Sequence, residues 1–292
     1  MSRVECFSPA WCGLEQTDEV LKWGLSRLRD LPWRRTRDPW AILVSEVMLQ
    51  QTQALRVIPK WHEFMAAYPS PAACAEASLG DVLRLWQGLG YPRRARNLHA
   101  AAARLVALDE FPSTLDALLQ LPGVGEYTAR AVLAFAFEAD AAVVDTNIAR
   151  VLARFAGRRL TAKQAQASAD AALPAGDSWA WNQCLMDLGA VLCRPTAPQC
   201  DACPLQGQCA WRGLGDDPSI GSSGVSTPQA RFAGSDRQAR GRLMKALVDG
   251  PVPMDRVAAV MRCDATRAAR LVSDLQREDL VQQRRQSLQL PC

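Results

Sequence analysis

Tyrosine and phenylalanine are scarce in this chain of 292 residues, three and seven of each, so aromatics reach only 7% even with nine Trp. That poverty, beside abundant Ala and Leu, counts against a β sandwich and favours packed helices. Period-2 alternation of useful length is missing as well, which removes the half-buried strand as the main building block. No apolar run approaches the roughly 18–20 residues that a membrane span requires. The N-terminus, MSRVECFSPAWCGLEQ, lacks the charged and then apolar regions of an export signal. These absences predict a mostly α, soluble protein of the cytoplasm with no membrane partner.

Net charge is small too, +4, and does not by itself announce a nucleic-acid partner. Its distribution says more. From residue 231 onward there are 12 Lys and Arg against 7 Asp and Glu, a surplus of 5 that leaves the first 230 residues one charge below neutral. A basic tail beside a neutral body suits a polyanion, and a solvated helical face explains it as well. At this length two or three structural units are expected.

Cysteine, by contrast, is plentiful. Four of the ten fall within seventeen residues, Cys193-RPTAPQ-Cys200-DA-Cys203-PLQGQ-Cys209. In a reducing compartment such a cluster reads as a metal site rather than as disulfides. From spacing alone four thiolates suit zinc or a four-iron four-sulfur cluster, although zinc favours two close pairs and only Cys200 and Cys203 form one. Cys6, Cys12, Cys74, Cys184, Cys263 and Cys292 are scattered and read as core or surface filler.

Helical spacing recurs along most of the chain. A first helix is expected over 18–30, helices follow within RDPWAILVSEVMLQQTQALRVIPKWHEFMAAYP, and others are predicted over 79–88, 95–108, 115–119, 126–137, 146–156, 162–173 and 178–193. Asp38 suits an N-cap, with Pro39 at the first helical position. Residues 214–234 are rich in Gly, Ser and Pro and read as a flexible linker. Beyond it three short helices and a segment suited to a small hairpin suggest a winged-helix-like module over 235–292, with a plain three-helix bundle as the alternative.

Three stretches carry chemistry. In Leu121-Pro-Gly-Val-Gly-Glu-Tyr-Thr-Ala129, Gly123 and Gly125 permit a tight turn whose backbone N–H groups point toward the next helix start, where the dipole favours an anion. A DNA phosphate fits there without base readout. In Val143-Val-Asp-Thr-Asn-Ile-Ala-Arg150, Asp145 stands where an N-cap stands, and bonds from helix N–H groups are expected to keep its carboxylate ionised. In Ser45-Glu-Val-Met-Leu-Gln-Gln-Thr52, Glu46 has apolar neighbours one turn away; such a site favours the protonated acid, unless the glutamate reaches solvent at the helix edge. Two carboxyls in contrasting environments form the general pattern of an acid paired with an anionic stabiliser.

Taken together, SEVMLQQT, GLGYPRRARNLH, LPGVGEYTA, VVDTNIARVLAR and the spacing C-x6-C-x2-C-x5-C, in this order over roughly residues 20–213, resemble the MutY-type adenine DNA glycosylases. That family belongs to the helix-hairpin-helix glycosylase superfamily that includes endonuclease III. The resemblance implies a two-lobed helix-hairpin-helix glycosylase fold with an iron-sulfur cluster loop. One lobe would span 35–144, and a cluster lobe 1–34 with 145–213. A 4Fe–4S cluster on Cys193, Cys200, Cys203 and Cys209 would pin the loop from Arg194 to Gln208 against the N-terminal helix.

The implied reaction flips adenine opposite 8-oxoguanine or guanine from duplex DNA and hydrolyses its N-glycosidic bond. By resemblance, Glu46 protonates adenine at N7 and later helps activate water, and Asp145 stabilises the oxocarbenium-like sugar. Tyr127 supports that aspartate and Asn147 holds backbone near the reacting sugar. Endonuclease III-like relatives carry Lys at the place of Tyr127, whose amine attacks the sugar; Tyr implies a monofunctional enzyme. Gln51 and Tyr91 correspond to wedge positions, and Gln50, Gly123, Val124 and Gly125 to DNA contacts; Arg93, Arg94 and Arg96 either contact phosphate or form a solvated run. Pro92 departs from the second Tyr common there.

The larger departure is at the end: only 83 residues follow Cys209, too few for the Nudix-like domain that reads 8-oxoguanine in many relatives. A basic winged-helix-like tail is expected to grip flanking duplex instead. The expectation is therefore a monomeric, nucleoid-associated adenine glycosylase. A thymine or other mismatch glycosylase and a non-catalytic, cluster-bearing DNA-binding protein are the alternatives.

Overall fold

The computed structural model describes residues 14–225 and 230–292. Cys6 and Cys12 lie outside the described residues. Helices α1 (Leu14–Leu25), α2 (Pro39–Leu49), α3 (Ala54–Ala67), α4 (Pro71–Glu76), α5 (Leu79–Leu85), α6 (Arg93–Val106) and α7 (Leu115–Leu119) lead to the turn at 121–125. Helices α8 (Glu126–Ala136), α9 (Thr146–Phe155), α10 (Ala162–Ala172) and α11 (Ser178–Val191) precede the cysteine loop. After it come α12 (Asp236–Asp249), strand β1 (Val252–Pro253), α13 (Val257–Met261), α14 (Ala265–Arg277) and strands β2 (Gln282–Arg284) and β3 (Ser287–Gln289). The expected helical runs reappear with ends shifted by a few residues, where caps and turns rather than periodicity decide the boundary.

The described residues divide into two compact units: those within 1–39, 113–116 and 125–227; and those within 40–112, 117–124 and 228–292. In the first, α9, α10 and α11 enclose Ile148, Leu152, Phe155, Trp181, Leu185 and Leu188, with Val20 of α1 in the same core. Gly24 lets α1 approach α11, since a Cβ there would lie 2.4 Å from Cys184 Sγ. The buried carboxylate of Asp187 on α11 receives Arg34 through Nη1 and Nη2, both at 2.8 Å, and Arg29 through its amide at 2.8 Å and Nε at 2.7 Å. Burial alone would raise its pKa, but these bonds and the Arg34 charge outweigh it and hold the carboxyl below the usual aspartate range.

In the second unit α2 is buried continuously from Trp40 to Met48, which explains a helix apolar on every face. Trp40 Nε1 donates to Tyr68 O at 3.0 Å, and Phe64 packs edge-on to Tyr68 and Trp86. The C-terminal segment forms three helices and an antiparallel sheet in the order β1-β3-β2, with Val252 opposite Leu288 and Gln283 opposite Leu288 on the other side. The expected hairpin is therefore present, and β1 makes it a sheet rather than an appendage to a plain bundle. This module is seated on α5 and α6: Gly80 N donates to Pro291 O at 2.9 Å, and buried Glu278 receives Arg93 at 2.8 Å and Arg240 at 2.9 Å.

The stretch that composition marks as a flexible linker is not free along its first part. Asp217 accepts from Arg154 and from the Ser219 amide, Ser222 Oγ accepts from Leu160 N, and Ser223 N donates to Leu160 O. Gly and Ser here serve turns with their own bonds, which composition cannot distinguish from a tether. Cys74 and Cys184 are fully buried, as filler cysteines should be, and burial pushes their thiols up to about 12 and about 11.

Candidate active site and cysteine centre

Asp145, Tyr127, Asn147 and the four clustered cysteines belong to the first unit; Glu46, Gln50, Gln51, Tyr91, Arg93, Gly123 and Val124 belong to the second. Asp145 is the N-cap of α9. Its Oδ1 accepts from Asn147 N at 3.0 Å and Ile148 N at 2.7 Å, while Oδ2 accepts from Asn147 Nδ2 at 2.9 Å. The residue keeps some accessible surface, yet its carboxyl lies deep among protein atoms. Burial raises its pKa, opposed by the Ile148 and Asn147 bonds and by Arg150. The helix N–H groups do bond the carboxylate as expected, and desolvation of the charged form is the larger effect on its pKa.

Asn147 also opens a bonded path that its sequence context alone did not reveal. Its Oδ1 accepts from Arg150 Nη2 at 2.8 Å, and the same guanidinium donates to Gly189 O at 2.6 Å and, through Nε, to Cys193 O at 2.7 Å. Asp145 is thus joined through Asn147 and Arg150 to the first cysteine of the loop. The signal was available in the three-residue spacing of Asn147 and Arg150, one helical turn, but an arginine at that spacing usually faces solvent. Gly189 on α11 makes room for the chain, since a Cβ there would lie 2.7 Å from Asn147 Cβ. Tyr127 is half-buried in the first two residues of α8.

Cys193, Cys200, Cys203 and Cys209 line one pocket with Leu192, Pro198 and Trp211. Arg154, buried and stacked at 4.4 Å over Trp211, donates from Nη1 to Cys193 Sγ at 3.3 Å and to Arg194 O at 2.8 Å. Ala210 N and Trp211 N donate to Phe155 O and Arg154 O. These bonds tie the loop and the residues after it to the end of α9. A Cβ at Gly213 would sit 3.2 Å from Cys200 Sγ, so glycine leaves that sulfur uncrowded. Four cysteines lining one pocket, a guanidinium on one sulfur and a glycine beside another fit an anionic thiolate cluster. Among the described residues no three such donors are drawn together closely enough for a single metal ion.

Glu46 is buried on α2, 4% exposed, between Ser45 and Val47 that are buried as well. Arg94 holds the end of that helix: Nη1 donates to Val47 O at 2.8 Å and Met48 O at 2.9 Å, while Nη2 donates to Leu89 O, Gly90 O and Thr52 Oγ1. Burial lowers its pKa to about 10, so it stays charged. Arg94 is therefore an internal bracket, correcting its assignment to phosphate. Sequence shows three arginines close together; only packing turns one inward. Arg96 donates to Glu278 O at 2.8 Å, and the charge of Arg93 is matched by the Glu278 carboxylate.

The Arg94 bracket brings the 50–52 and 89–91 segments together. Gln51 at φ 56° and Tyr91 at φ 48° are both left-handed and both exposed, whereas Gln50 is half-buried. A non-glycine residue there costs about 1–2 kcal/mol, and such strain clusters where function requires it.

In the 121–125 turn Gly123 adopts φ +79°, and a Cβ would lie 2.6 Å from Asn97 Cβ. Val124 is buried and its amide donates to Leu121 O at 3.1 Å, which corrects its reading as a DNA contact. Gly125 differs: its φ is −95°, open to any residue, and a Cβ there would meet nothing within 4 Å. Nothing inside the protein demands glycine at that position.

The fold and turn together define a class. Residues 44–174 match the model of the HhH-GPD superfamily of base excision DNA repair proteins. Among solved structures, one described as a thermostable thymine-DNA glycosylase is 31% identical, with TM-score 0.64 over 68% of this chain and 97% of that one. A trapped endonuclease III–DNA covalent intermediate is 26% identical, with TM-score 0.61 over 68% of this chain and 93% of that one.

The adenine DNA glycosylase of Mycolicibacterium smegmatis is 41% identical across 91% of this chain and 92% of its own. That of Mycobacterium tuberculosis is 44% identical across 81% and 80%, and the human one is 41% identical across 65% of this chain and 38% of its own. The chain belongs to the adenine DNA glycosylase family within the HhH-GPD superfamily.

Proposed function

We propose that this chain excises adenine mispaired with 8-oxoguanine or guanine in duplex DNA, acting as a monomeric, monofunctional glycosylase of base excision repair in the cytoplasm. The observation that carries the assignment is Asp145: a desolvated carboxyl held by three hydrogen bonds at a helix head, in a chain 41% identical to an adenine DNA glycosylase along nearly its whole length. A desolvated anion gains most from a positive charge developing beside it, which is what loss of a base creates at the sugar.

In this reading Glu46 donates a proton to adenine N7 as the N9–C1′ bond breaks and its electron pair leaves with the base. Asp145 stabilises the cationic sugar by its charge; an Asp145–C1′ bond, where it forms in passing, breaks with its electron pair returning to the carboxylate as water adds. Water then adds at C1′ and yields its proton to the Glu46 carboxylate, so the acid is regenerated and one water is consumed. Tyr127 supports Asp145 by its hydroxyl and, lacking an amine, forms no Schiff base, so the product is an intact abasic strand. Asn147 holds Asp145 and the backbone near the sugar.

The open face at Gly125 supports close approach of a phosphate to the turn and the start of α8. Gln51 and Tyr91 are the wedge, with Gln50 beside them. Cys193, Cys200, Cys203 and Cys209 would hold a 4Fe–4S cluster, whose part is to fix the loop rather than to make or break bonds.

The test uses duplexes carrying A opposite 8-oxoguanine, A opposite G, and T opposite G, treated with alkali after incubation. Scission of the A strand alone is expected. Scission only at T would favour the function named for the 31% identical structure. Glu46→Gln and Asp145→Asn should each abolish excision while leaving binding, and turnover retained in either would overturn its role.

A further inference from the structure

Among the described residues three large aromatic side chains are exposed, Tyr91, Phe137 and Phe232, and two of them flank one guanidinium. Arg237 at the start of α12 donates from Nη1 to Tyr91 Oη at 3.2 Å and from Nη2 to Ala230 O at 2.6 Å, with its Cζ 5.9 Å from the Phe232 ring centroid. Tyr91 belongs to the 89–91 loop and Phe232 to the C-terminal module, both within the second unit. Phe232 is 58% exposed and Tyr91 37%.

A single exposed ring needs no explanation. Here, however, both rings are presented by fixed backbone. Tyr91 is left-handed at φ 48°, and the Phe232 carbonyl accepts from Ser235 N at 3.1 Å and from Ser235 Oγ at 2.6 Å, where Ser235 caps α12. Phe232 therefore sits on a rigid turn rather than on a loose tether. Module and loop are locked together by Glu278, which joins Arg240 of α12 to Arg93 two residues beyond Tyr91.

We propose that Tyr91, Arg237 and Phe232 form one composite surface that contacts duplex DNA beside the extruded nucleotide, the two rings stacking on unstacked bases and Arg237 setting their spacing. Stacking of this kind accepts any base, because every base offers a π face, and a guanidinium between the rings adds attraction to them and to phosphate. The C-terminal module thereby supplies a sequence-tolerant hold on the helix distortion, with no base-edge readout. The inference rests on the reading that Tyr91 meets DNA.

The test measures anisotropy binding of the full chain to a duplex whose A opposite 8-oxoguanine is a non-cleavable 2′-fluoro nucleotide, with 2-aminopurine as the neighbouring base. Phe232→Ala and Arg237→Ala should each weaken binding about tenfold, about 1.4 kcal/mol, and dim the 2-aminopurine signal of unstacking at saturating protein. Phe232→Trp, which keeps a ring, should retain both. Far-UV circular dichroism and thermal midpoint should not move for Phe232→Ala, since the side chain supports no core. Loss of binding in Tyr91→Ala but not in Phe232→Ala or Arg237→Ala would overturn the composite surface and leave the wedge standing. No loss in Tyr91→Ala would sink the wedge and the composite surface together. Equal loss in Phe232→Trp and Phe232→Ala would overturn stacking.

Discussion

At Asp145 a single carboxyl is pulled in two directions. Burial raises its pKa, and the Ile148, Asn147 and Arg150 interactions lower it less. A carboxyl whose folded pKa is raised favours the fold fully below its unfolded pKa of about 3.9, and that contribution is lost as pH rises through the folded value. At neutral pH burying this carboxyl is therefore a cost to stability, which its proposed catalytic role would account for. Asp145→Asn should raise the thermal midpoint at pH 7 while excision disappears, and differential scanning calorimetry beside a single-turnover assay reads both. The acid limb of the excision rate in the unaltered protein should fall above the ordinary aspartate value.

The glycines separate in the same way. Gly189→Ala drives a methyl into Asn147, so it should lower the excision rate at least tenfold and destabilise the fold by about 1–3 kcal/mol. Gly125→Ala should leave the melting temperature unchanged and weaken duplex binding, because the added methyl points into open space that the phosphate is proposed to occupy. Gly123→Ala should fail at the level of folding. An unaltered Kd in Gly125→Ala would remove the turn from the DNA contact.

At the scale of elements, two buried charges decide how pieces are held. Arg94 joins α2 to the 89–91 loop through four backbone carbonyls and Thr52 Oγ1. Arg94→Lys should not rescue Arg94→Ala, because an ammonium cannot span acceptors that a planar fork reaches; urea unfolding of both variants checks this. Glu278 does the corresponding work for the C-terminal module. Burial would raise its pKa, but Arg240 and Arg93 hold it below the usual glutamate range. Its contribution is thus present above the unfolded pKa and is lost as pH falls through the folded one. Glu278→Gln should cost about 3 kcal/mol and speed proteolytic release of residues after 230, with the sharpest difference from the unaltered chain near neutral pH.

At the scale of the whole molecule, the cysteine loop and the aspartate form one bonded path through Arg150. If four irons occupy the cysteines, the purified protein should show a broad absorption shoulder at ~400 nm and four irons per chain by metal analysis; two zincs or one would reject the cluster. Cys200→Ser should lower iron content and loosen the 194–208 loop to proteolysis. Because Arg150 bonds Cys193 O as well as Asn147 Oδ1, cluster loss should also slow excision by protein that still binds DNA.

Much of this was legible in the residues alone. Helical spacing located the helices, since an apolar stripe must be buried wherever the helix packs. Asp145 could be read as a cap from its place before α9, and the cysteine spacing placed four thiols on one loop. Local order and chemistry of this kind are carried by neighbours in sequence. What tertiary structure alone decided was direction and environment: that Arg94 turns inward while Tyr91 turns out, that desolvation outweighs the cap bonds of Asp145, that Gly125 faces open space and Gly123 does not, and that residues 217–223 are bonded rather than slack. Those outcomes depend on atoms distant in sequence, and burial and electrostatic balance exist only once the chain has brought them together.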